Sequence, residues 1–320
     1  MDAIRTEGLT KHYNLGFWRS RPYRALDGLT LAVEAGEVFG FLGPNGAGKT
    51  TTLKLLMQLV YPTSGSAQIL GKPVGDTGMK RRLGYLPENP YFYDYLTAEE
   101  LLEYFASLFG YAAAERRARA SRLLDEVGIG AERRLQLRKF SKGMVQRVGI
   151  AQALINDPEV VFLDEPMSGL DPLGRREIRA MILRLRDRGR TVFFSSHVLA
   201  DAEALCSRVA VVVKGRLIAS GRISDIMAFQ IRGWELVVRD LPEAALRRAE
   251  IAYGVTRTTQ IGNGQYALEL PGESSPEQVL SDLIGQGAHL VSLNPVRETL
   301  EDFFVRHVTS VTADRGLNAS

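Results

Sequence analysis

The stretch FLGPNGAGKTT, residues 41–51, constrains this chain more than any other. It fits the pattern G-x-x-x-x-G-K-[ST], with Gly43, Gly48, Lys49 and Thr50 at the defining positions. That pattern carries weight only where a strand precedes it and a helix follows. EVFGFL (37–42) is apolar and TTLKLLMQLV (51–60) has helical apolar spacing, so both conditions are met. Gly46 and Gly48 let the backbone bend until successive N–H groups converge on a phosphate, at a helix N-terminus whose dipole favours anions. Pro44, Asn45, Ala47 and Thr51 complete the loop. Lys49 is expected to reach the β- and γ-phosphates of a nucleotide, and the Thr50 hydroxyl to bind Mg²⁺.

The 320 residues leave room for one large domain and a smaller one. With 45% hydrophobic and 24% charged residues, the composition is that of an ordinary soluble globular protein. A net charge of +3, spread along the chain, leaves no stripe for a polynucleotide. Cys206 is the only cysteine, which excludes a disulfide framework and a cysteine-based zinc site and fits a reducing, cytoplasmic setting. No apolar run approaches the roughly 18 residues of a membrane span, so any membrane crossing is expected from another chain.

Residues 1–42 alternate short apolar runs with turns, which predicts antiparallel strands leading into the phosphate-loop strand, with a surface loop between Tyr13 and Ala25. SAQIL and LGYLP read as short strands. From Thr97 onward the period is helical, opened by a capping box of Thr97 and Glu100, and a mainly helical insertion is expected over about 89–155. Its last helix opens at Ser141 (FSKGMVQRVGIAQAL) and stops at Asp157-Pro158. EVVFLDEP then reads as a buried parallel strand, followed by helix, strand (TVFFSS), helix and strand (VAVVVKG), the alternation of an α/β protein with a parallel sheet. Beyond about residue 230 the order becomes β, α, β, β, α, β, with Asn263-Gly264 as a hairpin turn, which is a split-βαβ, ferredoxin-like domain. The expected organisation is therefore a P-loop NTPase core with an antiparallel β subdomain and a helical insertion over 1–225, and a small α+β domain over 232–308. The latter ends in a helix, RETLEDFFVRHV, before a disordered polar tail at 309–320.

VVFLDEP ends in Asp164-Glu165, and strand ends in open α/β sheets face the ligand crevice. Asp164 can organise Mg²⁺ there as a Walker B residue, directly or through water, and Glu165 can polarise an attacking water. With FSKGMVQR upstream of these acids, the chain resembles the ATP-binding subunits of ABC transporters over residues 1 to about 225. Phosphate loop, helical insertion, signature, Walker B, D-loop and switch histidine fall in the family's order. Ser141 and Gly143 occupy the serine and second glycine of the family's LSGGQ, while Phe140, Lys142 and Met144 replace its leucine, first glycine and glutamine. Taken alone, Ser141 is a helix cap. In the family that serine faces a γ-phosphate bound by the opposite subunit, so the resemblance implies two ATPs sandwiched in a head-to-tail dimer.

MSGLDP places Asp171 on the D-loop, which crosses the dimer interface in relatives. His197, after TVFFSS, falls on the switch position, where an imidazole can donate to the γ-phosphate and orient water. Tyr13 matches the aromatic that stacks on adenine, with Phe17, Trp18 and Tyr23 close by in sequence. At GYLPEN, Glu88 stands where most relatives carry a glutamine. A carboxylate there can ligate Mg²⁺ or its water, yet it adds negative charge beside the phosphates.

GYLPE, FSKGM and the closing TLEDFF together resemble ABC-2-type exporter subunits. The resemblance implies an ATPase using ATP and Mg²⁺, dimeric with a second copy, peripheral on the cytoplasmic face and driving a separately encoded permease, with no nucleic acid bound. Docking is expected around 88–110, where Tyr91, Phe92, Tyr95, Phe105 and Phe109 divide between surface and core. The competing class is a soluble ABC ATPase acting on nucleic acid or ribosomes. Such relatives tend to carry two ATPase halves in one chain or cysteine-rich zinc modules, and this chain has neither.

Overall fold

The computed structural model describes residues 1–15, 21–226, 231–262 and 264–297. The chain enters as two 14-residue strands, β1 (Asp2–Leu15) and β2 (Arg21–Glu34), paired antiparallel from Asp2↔Glu34 to Leu15↔Arg21. Much of the segment expected as a loop between Tyr13 and Ala25 is therefore ribbon, with Tyr13 opposite Tyr23 and Asn14 opposite Pro22. Its backbone is satisfied by the partner strand without an apolar alternation to announce it, and Pro22 is tolerated because β2 is an edge strand. The chain leaves this ribbon as β3 (Val38–Leu42), passes through the phosphate loop into α1 (Lys49–Leu56), and returns as β4 (Ser64–Ile69) and β5 (Lys72–Pro73). The first sheet runs β2-β1-β4-β5. Helix α1 stops short of the expected residue 60 because the backbone turns left-handed at Gln58 (φ 53°).

After α2 (Thr77–Lys80) the second sheet gains β6 (Leu83–Leu86). The helical insertion follows as α3 (Ala98–Leu108), α4 (Ala113–Glu126) and α5 (Lys142–Ala153). The Thr97 box closes α3: Glu100 N–H donates to the Thr97 hydroxyl (3.2 Å) and Thr97 N–H to the Glu100 carboxylate (2.8 Å). The chain then alternates β7 (Val160–Asp164), α6 (Pro172–Asp187), β8 (Thr191–Ser196), α7 (Leu199–Leu205) and β9 (Arg208–Val213).

The unexpected β10 (Arg216–Arg222) pairs back on β9 through Lys214 (φ 49°) and Gly215 (φ 80°), a tight turn with two left-handed residues. The sheet order is β10-β9-β3-β8-β7-β6, with β3, β6, β7, β8 and β9 parallel. Strands β3, β7 and β8 are buried along their whole length, and Phe39, Phe41 and Phe162 pack on Phe193 with ring centroids 5.3–5.8 Å apart. That core seats the phosphate loop rigidly on the sheet.

The chain divides into two compact units, Met1–Ile223 and Ser224–Ser320. The second begins in the short α8 (Ile223–Ile226) and continues as β11 (Ile231–Arg239), α9 (Glu243–Tyr253), β12 (Arg257–Gly262), β13 (Gln265–Pro271), α10 (Pro276–Gly285) and β14 (His289–Arg297). Its strands pair antiparallel in the order β12-β13-β11-β14, the arrangement of a ferredoxin-like sheet. Leu236, Val238, Leu268 and Leu270 face Leu246 and Ala249 of α9 and Val279 and Leu283 of α10. Gly262 and Gln265 flank the hairpin turn; Arg297, where a closing helix is expected to begin, ends β14, and Asn263, the rest of that helix at 298–308 and the tail 309–320 lie outside the described residues. Among the described residues, no helix is long and apolar enough to cross a membrane.

Candidate nucleotide site

Two glycines of the phosphate loop are steric necessities. A Cβ on Gly43 would stand 2.3 Å from the Val212 carbonyl oxygen, and one on Gly48, at φ 104°, would stand 2.4 Å from that of Ala25. The loop therefore lies directly on the backbones of β9 and β2. Ala47 N–H donates to Pro44 O (3.1 Å), and Ala47 O accepts from Gly215 N–H (2.9 Å), which pins the loop from below. Above it opens a cleft of about 260 Å³ lined by Tyr23, Ala25, Asn45, Gly46, Gly48, Lys49, Thr50, Thr51, Glu88 and Glu165.

Lys49 is buried, and its ammonium donates to the carbonyls of Gly43 (2.8 Å) and Pro44 (3.2 Å). The same nitrogen is 3.0 Å from Glu165 Oε1, while Glu165 Oε2 is 2.8 Å from His197 Nδ1. One carboxylate thus sits between the loop lysine and the switch histidine. Glu165 holds φ at 49°, a left-handed conformation that costs a non-glycine residue about 1–3 kcal/mol. Its surroundings impose that turn: Glu165 N–H donates to Ser195 Oγ (3.0 Å) and Ser168 N–H donates to Glu165 O (3.0 Å).

Asp164 is fully buried beside it. Its Oδ1 accepts from the Ser195 hydroxyl (2.6 Å), and its Oδ2 has no partner among the described residues. Burial raises its carboxyl above the ordinary value, opposed by the Ser195 hydrogen bond and the neighbouring Thr50 hydroxyl, reinforced by the Glu165 charge and opposed again by Lys49. The field of Asp164 reaches β6, where burial and then this charge push the Tyr85 hydroxyl up to about 12. A buried carboxylate oxygen without a partner, next to a threonine hydroxyl and a phosphate cradle, is a hard-oxygen donor set that fits Mg²⁺. Ser195 is a site residue that sequence reasoning passed over. Its signal was present as a polar residue inside a buried strand, in register with Asp164.

The signature segment forms a separate edge. Ser141 caps α5, accepting from Met144 N–H (3.3 Å), and Asp171 caps α6, accepting from Gly174 N–H (2.7 Å) with Pro172 at the first helical position. Gly143 packs beside Leu170 of the D-loop. Ser141, Gly143 and Asp171 do not line the cleft of their own chain. Buried Gln146 of α5 donates Nε2–H to Pro166 O (3.0 Å), which ties this edge to the turn after Glu165. Tyr13 is not among the residues that line this cleft: its ring lies under Lys11 Nζ (5.0 Å), and the aromatic in the cleft wall is its cross-strand neighbour Tyr23, whose hydroxyl is 3.4 Å from Gly46 O.

A phosphate chain can lie along this loop, in front of paired acids at the end of a parallel strand, and that arrangement makes the protein a P-loop nucleoside triphosphatase. Its family follows from its relatives. The protein family described as ABC transporter matches residues 26–168. An ABC transporter ATP-binding protein of Synechocystis sp. (strain ATCC 27184 / PCC 6803 / Kazusa), described as uncharacterised, is 44% identical over 321 residues, covering 100% of this chain and 87% of that protein. A fluoroquinolones export ATP-binding protein of Mycobacterium tuberculosis (strain CDC 1551 / Oshkosh) is 43% identical over 220 residues, 68% of this chain and 70% of its own. Among solved structures, a dimeric post-hydrolysis state of an ATP-binding cassette bound to ADP and Pi matches with a TM-score of 0.63 and 27% identity, over 69% of this chain and 98% of that one. The chain belongs to the ATP-binding proteins of ABC transporters, and it is an ATPase.

Proposed function

We propose that this chain is the ATP-hydrolysing subunit of an ABC-2-type exporter, acting as an ATP-sandwich dimer on a separately encoded permease at the cytoplasmic face of a membrane. The observation that carries the hydrolytic part is the Glu165 carboxylate, held between Lys49 and His197 at the mouth of the phosphate loop. In this reading Glu165 takes a proton from the attacking water, and His197 fixes the orientation of that carboxylate. The Lys49 ammonium exchanges its loop carbonyls for phosphate oxygens. Mg²⁺, when bound, neutralises charge on the β- and γ-phosphates; Thr50 and Asp164 are the residues that would hold it, with Glu88 at the rim. Ser141 and Gly143 of a second subunit close over the γ-phosphate, with Asp171 on the adjoining D-loop. Tyr23, with Tyr13 beside it, faces the base.

Export is supported by the fluoroquinolone-export relative, and dimerisation by the dimeric solved cassette. A permease contact is supported by a second groove of about 380 Å³, whose lining includes Tyr85, Pro90, Tyr91, Phe92, Phe105 and Phe109. Tyr91 is 95% exposed there, and nearby Tyr95, also exposed, packs on Tyr93 (5.9 Å).

Glu165→Gln tests the mechanism: turnover is expected to fall by about 10²–10⁴, the usual contribution of a positioned base, while ATP still drives a stable dimer. Near-normal turnover removes Glu165 as the base. The partner is tested by recovery from native membranes. Detergent-dependent co-purification with a multi-span protein is expected, and nuclease-sensitive association would favour an ATPase acting on nucleic acid.

A further inference from the structure

The cleft is short of positive charge for its ligand. Among the described residues that line it, Lys49 is the one cation, and it already lies 3.0 Å from Glu165. Glu88 adds a second carboxylate on the rim, and Asp164 a third, buried behind. A triphosphate with about four negative charges, about two of them offset by Mg²⁺, therefore meets three carboxylates and a single ammonium. Glu88 is the exposed one of the three, and among the described residues that line the cleft none but Lys49, already beside Glu165, carries a positive charge to set against it.

Elsewhere the chain carries a cation with the opposite problem. Lys142 makes no ion pair or side-chain hydrogen bond with any described residue. It is the first residue of α5, where no acid stands in the first turn and the helix dipole opposes a positive charge. Its position is nonetheless defined, because the stem lies across the D-loop. A Cβ built on Gly169 (φ 68°) would stand 2.3 Å from Lys142 Nζ and 3.1 Å from its Cε. The ammonium is thereby held on the exposed face that carries Ser141 and the D-loop. In the ATP-sandwich reading, on which this inference rests, that face meets the partner's nucleotide.

We propose that Lys142 of one protomer is a phosphate-binding residue for the nucleotide of the other, supplying the positive charge that offsets Glu88 there. These are two positions at which the sequence departs in charge from the family pattern, glutamate for glutamine and lysine for glycine, opposite in sign and on opposite halves of the composite site.

The experiment is a double-mutant cycle in a Glu165→Gln background, with ATP-driven dimerisation of the full chain read by sedimentation over a salt series. Lys142→Met keeps the stem across Gly169 and removes the charge. It is expected to weaken the ATP-bound dimer by about tenfold and to flatten its salt dependence, and Lys142→Arg to restore most of both. Adding Glu88→Gln should shrink the Lys142→Met loss to within about threefold, because the repulsion it answers is gone. If Glu165→Gln stays monomeric with ATP at every salt concentration, the sandwich reading fails and this assignment falls with it. If Glu165→Gln dimerises and Lys142→Met does so equally well, only the role of Lys142 is overturned. A loss of the same size with and without Glu88→Gln overturns the pairing of the two charges.

Discussion

The two edges of the site are built by the same elements, a strand or loop delivering a polar residue to the start of a helix, yet they are finished in opposite ways. At the phosphate-loop edge, Lys49, Asp164 and Glu165 are buried and answered by Gly43, Pro44, Ser195 and His197 of the same chain. At the signature edge, Ser141, Lys142 and Asp171 are exposed, and their contacts are helix caps and the D-loop turn. A buried charge without a partner costs several kcal/mol, so the first edge draws its partners from its own chain, with Asp164 Oδ2 the exception among these groups. Exposed polar groups need only water, so the second edge is stable without further partners in its own chain, and in the proposed sandwich its donors serve the other subunit's nucleotide.

The comparison breaks most severely at Lys49. Lys49→Met is expected to lower nucleotide affinity by at least about 10²-fold in calorimetry and to destabilise the fold by about 2–3 kcal/mol in urea, since Glu165 loses its ammonium while staying buried. Retained affinity would show that the cleft does not hold the phosphates. Next comes the brace behind both edges. Arg179 of α6, the helix that Asp171 opens, pairs at 2.5 Å with Asp201 of α7, the helix after His197, and the Asp201 side chain is 1% exposed. Arg179→Ala is expected to cost about 3 kcal/mol in denaturant melts, with Arg179→Lys recovering part of it.

Smaller effects sharpen the contrast. Ser141→Ala should cost about 1 kcal/mol through the lost cap. Ser141→Asp caps equally well and should restore the melting temperature, yet ATP-driven dimerisation should be lost because a carboxylate then faces the γ-phosphate. A Ser141→Asp protein that still dimerises with ATP would reduce Ser141 to a cap.

Asp164 is expected to show the smallest change in stability, with its sign set by pH. Its folded carboxyl value is raised by burial above 3.8, so its favourable contribution is present below that value and is lost as pH rises through the raised one. At pH 7 the ionised group therefore costs stability, and Asp164→Asn should raise Tm by roughly 2 °C there while turnover disappears. The gain should vanish below about pH 4, and a lower Tm at pH 7 would contradict the assignment.

Much of this was legible because its signals are local. The strand–loop–helix around Lys49, the buried run into Asp164-Glu165, the Thr97 box and the βαββαβ order all depend on neighbours within a few residues. The misses are pairings. β10 is polar and half exposed, so nothing in RLIASGR marks it as a strand until it lies on β9. Tyr23 forms the cleft wall only because the β1–β2 register sets it opposite Tyr13 beside Gly46. Ser195 matters only because β8 runs in register with β7.

By itself, then, the sequence determined the class of chemistry, since a phosphate cradle, a lysine and two acids need particular residue types at short spacings that no other context would require together. Only the tertiary structure decided how those groups are divided. It set Glu165 between Lys49 and His197, left an oxygen of Asp164 without a partner, and put Ser141 and Lys142 on a face away from their own cleft. Those outcomes depend on which strands lie side by side and which helix ends stay in water, and such long-range packing has no short-range code.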